Sequence, residues 1–110
     1  MKLNQAAQGF SAMGSSPRME VLQTLIKAGP DGLRIGEIQT HTKIPPSTLA
    51  HHLKALLAAR LIIQTKSGRE TITLANYDHL EALAAYILKE CCSQQSQLPK
   101  SETREECLTS

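Results

Sequence analysis

At 110 residues the chain is long enough for one domain with a modest core, but not for two. Hydrophobic residues make up 41%, yet one Phe, two Tyr and no Trp leave Leu, Ile and Ala to build that core, a composition that favours helices. The net charge of +2 is unevenly spread: residues 38–69 hold five basic and no acidic side chains, whereas 77–110 hold six acids and three bases, which suggests one face turned to a polyanion and another with a different task.

Leu3, Ala6, Ala7, Phe10 and Met13 repeat at helical spacing, with Gly14 as a plausible stop. This helix is short and polar on its outer face, so it needs something to pack on, such as a second copy of the chain. Ser16-Pro17 reads as an N-cap followed by proline at the first helical position. The helix behind it carries Met19, Leu22, Leu25 and Ile26 on one face, and Ala28-Gly29-Pro30-Asp31-Gly32 turns the chain. A third, short helix is expected from about Arg34 to Thr42, with Ile35 and Ile38 facing inward.

Lys43-Ile44-Pro45 makes a tight connection, because the residue before a proline resists the helical conformation. From Pro46 a fourth helix puts Leu49, Leu53 and Leu56 on one face. At about 100° per residue, Ser47, His51 and Lys54 point the opposite way, flanked by Thr48 and Ala55. One side can bury while the other offers short hydrogen-bonding groups and positive charge. Two short helices joined by a brief turn, the second with a polar-basic face, form a helix-turn-helix, and duplex DNA is the matching partner. The neighbouring His51 and His52 face about 100° apart and make a poor metal pair; contact with DNA or partial packing suits them better.

Leu61 to Lys66 is rich in β-branched residues, Ser67-Gly68 follows, and apolar and polar residues alternate from Thr71 to Leu74. That pattern predicts a β-hairpin with Lys66 and Arg69 at its tip, where a wing would touch the DNA backbone or minor groove. Asn76 can cap a last helix whose apolar positions are Leu80, Leu83, Ala84, Ile87, Leu88 and Cys91. The polar composition after Cys92 predicts a flexible tail over 93–110 that carries Cys107, leaving 1–92 as the domain. The fold expected is mostly α with a small β-hairpin, a winged helix-turn-helix of order α-α-α-α-β-β-α.

No apolar run approaches the ~20 residues needed to cross a bilayer, and the first residues lack a signal-peptide core. Three cysteines, an odd number without an export signal, point to reduced thiols and a cytoplasmic location, with no membrane partner.

The order of elements, with Leu49-Ala50-His51-His52-Leu53-Lys54-Ala55-Leu56 in the second helix of the motif, resembles the ArsR/SmtB family of dimeric, metal- and metalloid-sensing repressors. The resemblance covers roughly residues 5–92, and Ala50 departs from the Ser often found there. It implies a homodimer through the first and last helices, an imperfect palindrome as operator, and DNA contacts from Ser47, Thr48, His51 and Lys54, with Lys43, Lys66 and Arg69 beside them. One arsenic pattern of the family puts cysteines in the first helix of the motif, but Arg34 to His41 has none. A zinc pattern uses Asp and His on the final helices; Asp78 and His79 begin that helix, with no second His downstream.

The run Leu88-Lys89-Glu90-Cys91-Cys92 looks like an arsenic-responsive branch with a vicinal pair at this location. That resemblance implies trivalent arsenic (arsenite) as inducer on Cys91 and Cys92, with Cys107 as a third thiolate; antimonite or a methylated arsenical would use the same soft ligands. Cys91 is also in phase with the apolar stripe, so packing alone is an alternative for it. Redox or persulfide sensing by the same cysteines is the rival within this fold. Catalysis is not expected, because a helix C-terminus raises thiol pKa and no anion-binding loop precedes the pair.

Overall fold

The computed structural model describes residues 1–89. In chain order these form α1 (Leu3–Ala12), α2 (Ser16–Ala28), a 3-10 turn (Gly29–Asp31), β1 (Leu33–Arg34), α3 (Ile35–Thr42), α4 (Pro46–Ala58), β2 (Ile62–Ser67), β3 (Glu70–Ala75) and α5 (Tyr77–Leu88). Helices α2, α3 and α4 enclose the core, where Val21, Leu22, Leu25, Ile38, Leu49 and Leu56 are buried together with Leu61, Ile62 and Leu83. Each fully buried Leu or Ile contributes about 1.5–3 kcal/mol, so the leucine stripe of α4 anchors it from below while leaving its outer face free.

Two corrections concern the sheet. It has three antiparallel strands in the order β1-β3-β2, not two, because Leu33 pairs with Thr73 and Arg34 with Ile72. Arg34 is therefore strand and N-cap, and α3 begins at Ile35; its backbone N–H donates to the Glu37 carboxylate at 2.9 Å, which closes the helix start. The hairpin loop is Gly68-Arg69, since Ser67 still pairs with Glu70. Gly68 has φ +66 and Arg69 does not share that left-handed conformation, the pattern of a type II′ turn.

Several side chains on predicted apolar stripes are outside: Leu3 is 68% exposed, Ile26 and Ile35 are each 40% exposed, and Ala7, Ala84, Ile87 and Leu88 are exposed as well. Helical spacing gives the direction of a stripe but not its width: Ala6 is buried as the stripe predicts, while Val21, outside the predicted face of α2, fills an interior position. Helix α2 starts at Ser16 with Ser15 as N-cap, one residue earlier than the Ser-Pro signal places it.

Asn76 caps α5 as the sequence predicts: its Oδ1 accepts from the His79 N–H at 3.4 Å. Its Nδ2 also donates to the Arg60 carbonyl at 2.9 Å, holding the left-handed Arg60 (φ +65) that follows α4. The Tyr77 hydroxyl donates to the Ile26 carbonyl at 3.2 Å. The start of α5 is thus tied both to the end of α4 and to α2. Against α1, α5 packs closely: a Cβ on Gly9 would lie 2.9 Å from Leu83 Cδ1. No helix among the described residues is long and apolar enough to cross a membrane.

Candidate nucleic-acid interface

Helix α3 ends at Lys43, whose left-handed conformation (φ 58, ψ 22) lets its N–H donate to the Gln39 carbonyl at 2.7 Å. Ile44 then turns back onto the core, and Pro45 and Pro46 start α4 without needing the amide hydrogens they lack. This geometry sets the exposed face of α4 outward. Ser47, Thr48, His51 and Lys54 are all exposed, opposite the buried Leu49, Leu53 and Leu56, as the 100° rotation requires. Lys43 is exposed at the turn just before them.

The hairpin stands beside one edge of α4. Gln64 on β2 shares a groove with Ala50, Lys54 and Leu57 of α4 and Ile35 of α3. Lys66, two residues on, lies on the same face of the strand as Gln64, the face turned to α4. Arg69 occupies the loop itself, and both cations are exposed. The neighbouring Glu70 pairs with Arg34, so its exposed carboxylate has a cation beside it. Lys43, Lys54, Lys66 and Arg69 therefore border one continuous face assembled from α4, its preceding turn and the hairpin.

The opposite edge of α4 carries a contact that the sequence does not announce. Arg18 on α2 donates from Nε to His52 Nδ1 at 3.3 Å, across 34 residues of chain. Burial, then the Arg18 charge, then His51 push the His52 pKa below the ordinary imidazole value. His52 is accordingly neutral near pH 7. In the unfolded chain it titrates near the ordinary value of about 6.5, so its contribution to stability is complete above that pH. As pH falls from there through the lowered native value, the unfolded state takes the proton first and stability is lost. Melting temperatures of wild type and His52→Gln between neutral and mildly acid pH should therefore converge as the pH drops; a constant gap would contradict it.

Cys91, Cys92 and Cys107, and the boundary at 92–93, lie outside the described residues. Among the described residues there is no group of three or more His, Cys, Asp or Glu placed to hold a metal ion, and the Asp78-His79 pair stands alone.

A family model described as a helix-turn-helix domain matches residues 13–65. No curated protein matches the chain in sequence. Among solved structures, an ArsR-like transcriptional regulator from Rhodococcus sp. RHA1 is similar at 26% identity and TM-score 0.72, covering 86% of this chain and 85% of that one. A homodimeric winged helix-turn-helix DNA-binding domain from Mycobacterium bovis, described as a possible ArsR-family transcriptional regulator, aligns at 19% identity and TM-score 0.65, again over 86% and 85% of the two chains. A mutant of MepR from S. aureus bound to an oligodeoxyribonucleotide aligns at 18% identity and TM-score 0.57, over 96% and 82%. The fold is a winged helix-turn-helix, in which α3 and α4 are the motif and the β2–β3 hairpin is the wing.

Proposed function

We propose that the chain is a transcriptional repressor of the ArsR family that binds a palindromic operator as a dimer and releases it when trivalent arsenic, or antimony, binds its cysteine thiolates. The observation that carries the DNA-binding part is the outward face of α4, where Ser47, Thr48, His51 and Lys54 are exposed without an acidic residue from Ile38 to Arg69. A helix of this shape fits the major groove, which is about 12 Å wide.

The dimer would form through α1 and α5. Leu3 at 68%, Ile87 at 60% and Leu88 at 40% exposure leave apolar surface on two helices that already pack together, and such surface calls for a partner. A charge at its centre should separate the subunits: Ile87→Glu is expected to raise the dimer dissociation constant about thirtyfold or more, measured by analytical ultracentrifugation. An unchanged sedimentation profile would remove α5 from the interface.

Cys91 and Cys92 follow Leu88 by three and four residues in the sequence. Thiolates are soft ligands and favour thiophilic centres over hard cations, and two adjacent ones with Cys107 supply the three bonds that trivalent arsenic takes. Strain applied to α5 has a direct route to the DNA-facing helix, because Asn76 bonds the Arg60 carbonyl just beyond α4 and Tyr77 bonds α2. Coupling of this kind is typically about 1–3 kcal/mol, or roughly 5–150-fold in affinity. Arsenite titrated into the protein–operator complex should release wild type and fail to release Cys92→Ser. Release of both at the same concentration would exclude Cys92, and release by a mild oxidant but not by arsenite would make the thiols a redox switch.

A further inference from the structure

A helix lying in the major groove has a phosphate backbone on each side, so the two edges of α4 meet different strands. Lys54 and the hairpin serve one edge. On the other edge stand Thr48 and, about 40° further round the helix, His52, next to Arg18 at the start of α2.

We propose that Arg18 and His52 form a two-helix phosphate contact on the α4 edge away from the wing, in which the Arg18 Nε–H fixes His52 as its Nε2–H tautomer and leaves that N–H as a donor to the DNA backbone. A guanidinium has five N–H donors and no acceptor, so the imidazole nitrogen it meets must carry a lone pair. With Nδ1 accepting at 3.3 Å, the one proton of neutral His52 belongs on Nε2. Burial and the neighbouring Arg18 keep the ring neutral, and both residues are only half-buried, so the pair is accessible from outside. Arg18 has donors to spare. Among the described residues its guanidinium meets no carboxylate, the ion pair there being Arg34 with Glu70, and its charge is free to meet a phosphate oxygen. His52 alone would be a ring of undetermined tautomer; Arg18 makes it a directed donor and adds a cation beside it.

The Arg18–His52 phosphate site presupposes the DNA-binding role above, and its test separates the two. In nitrogen-15-labelled wild type near neutral pH, long-range proton–nitrogen correlations should show His52 as the Nε2–H tautomer. Arg18→Met, which keeps the apolar stem and removes the donors, should give a mixture of tautomers. On a mixed-sequence duplex the same variant should show a salt dependence of log affinity shallower by about 0.9 for each phosphate it no longer neutralises, a change that a purely structural role would not produce. An Nδ1–H imidazole in wild type, or an unchanged salt slope in Arg18→Met, overturns the assignment while leaving DNA binding intact. Failure of wild type to bind any duplex overturns it together with the reading beneath it.

Discussion

Gly32→Ala is expected to destabilise the protein by about 3 kcal/mol or more, lowering the melting temperature by about 12 °C or more for a chain of this size. Two effects add at this position. Gly32 adopts φ 69 and ψ −170, a region essentially restricted to glycine, where a side chain costs of order 1–3 kcal/mol. A Cβ there would also lie 2.6 Å from the Thr73 carbonyl oxygen and 2.8 Å from Ile72 Cγ2. The first of these is backbone in the central strand and cannot swing aside, so β1 would have to leave β3. Gly68→Ala is the control: its φ of +66 carries a backbone cost of the same kind, but nothing lies within 4 Å of the new Cβ, so its loss should be clearly the smaller of the two. Thermal or urea unfolding of the two variants checks the contrast. Equal, small losses would mean that β1 does not pack against the wing as described.

The second large effect is on binding. Lys54→Glu should lower affinity for an operator duplex about a hundredfold, because each subunit of the proposed dimer gives up a favourable interaction and gains a repulsion in its place. Its stability should stay within about 0.5 kcal/mol of wild type, since the residue is exposed and off the core face. Lys27→Glu makes the same change in net charge on α2, away from the α4 face, and should alter affinity only a few-fold. A fluorescence anisotropy titration at fixed salt compares them. Similar losses for both would reduce the interaction to overall charge and remove α4 as the reading surface.

Some features are legible in the sequence and others are not, for physical reasons. Leu49, Leu53 and Leu56 announce the buried side of α4 because three large apolar residues at helical spacing leave one solution, and the exposed side follows by rotation. Asn76 announces the start of α5 because a cap is a local hydrogen bond. Strand β1 is not legible: two residues, Leu33-Arg34, are too few to show alternation, and the strand exists because β3 offers it an edge. Ile35 points away from its expected place because an apolar residue in the first turn of a short helix can face either the core or the groove beside Lys54. The Arg18–His52 hydrogen bond spans two helices, and no local pattern in either encodes the other's position. Leu3, Ile87 and Leu88 lie on apolar stripes in the sequence, yet their exposure within a single chain is visible only once α1 and α5 are packed.

The most direct measurement is a backbone amide chemical-shift map of the labelled protein titrated with duplex DNA from upstream of its own gene. Binding through the assembled face predicts perturbations from Lys43 to Lys54, at Lys66 to Arg69 on the hairpin, and at Arg18, with the exposed faces of α1 and α5 unaffected. Perturbations centred on α1 and α5 instead, or none at saturating duplex, would contradict the placement of the DNA-binding surface on α4.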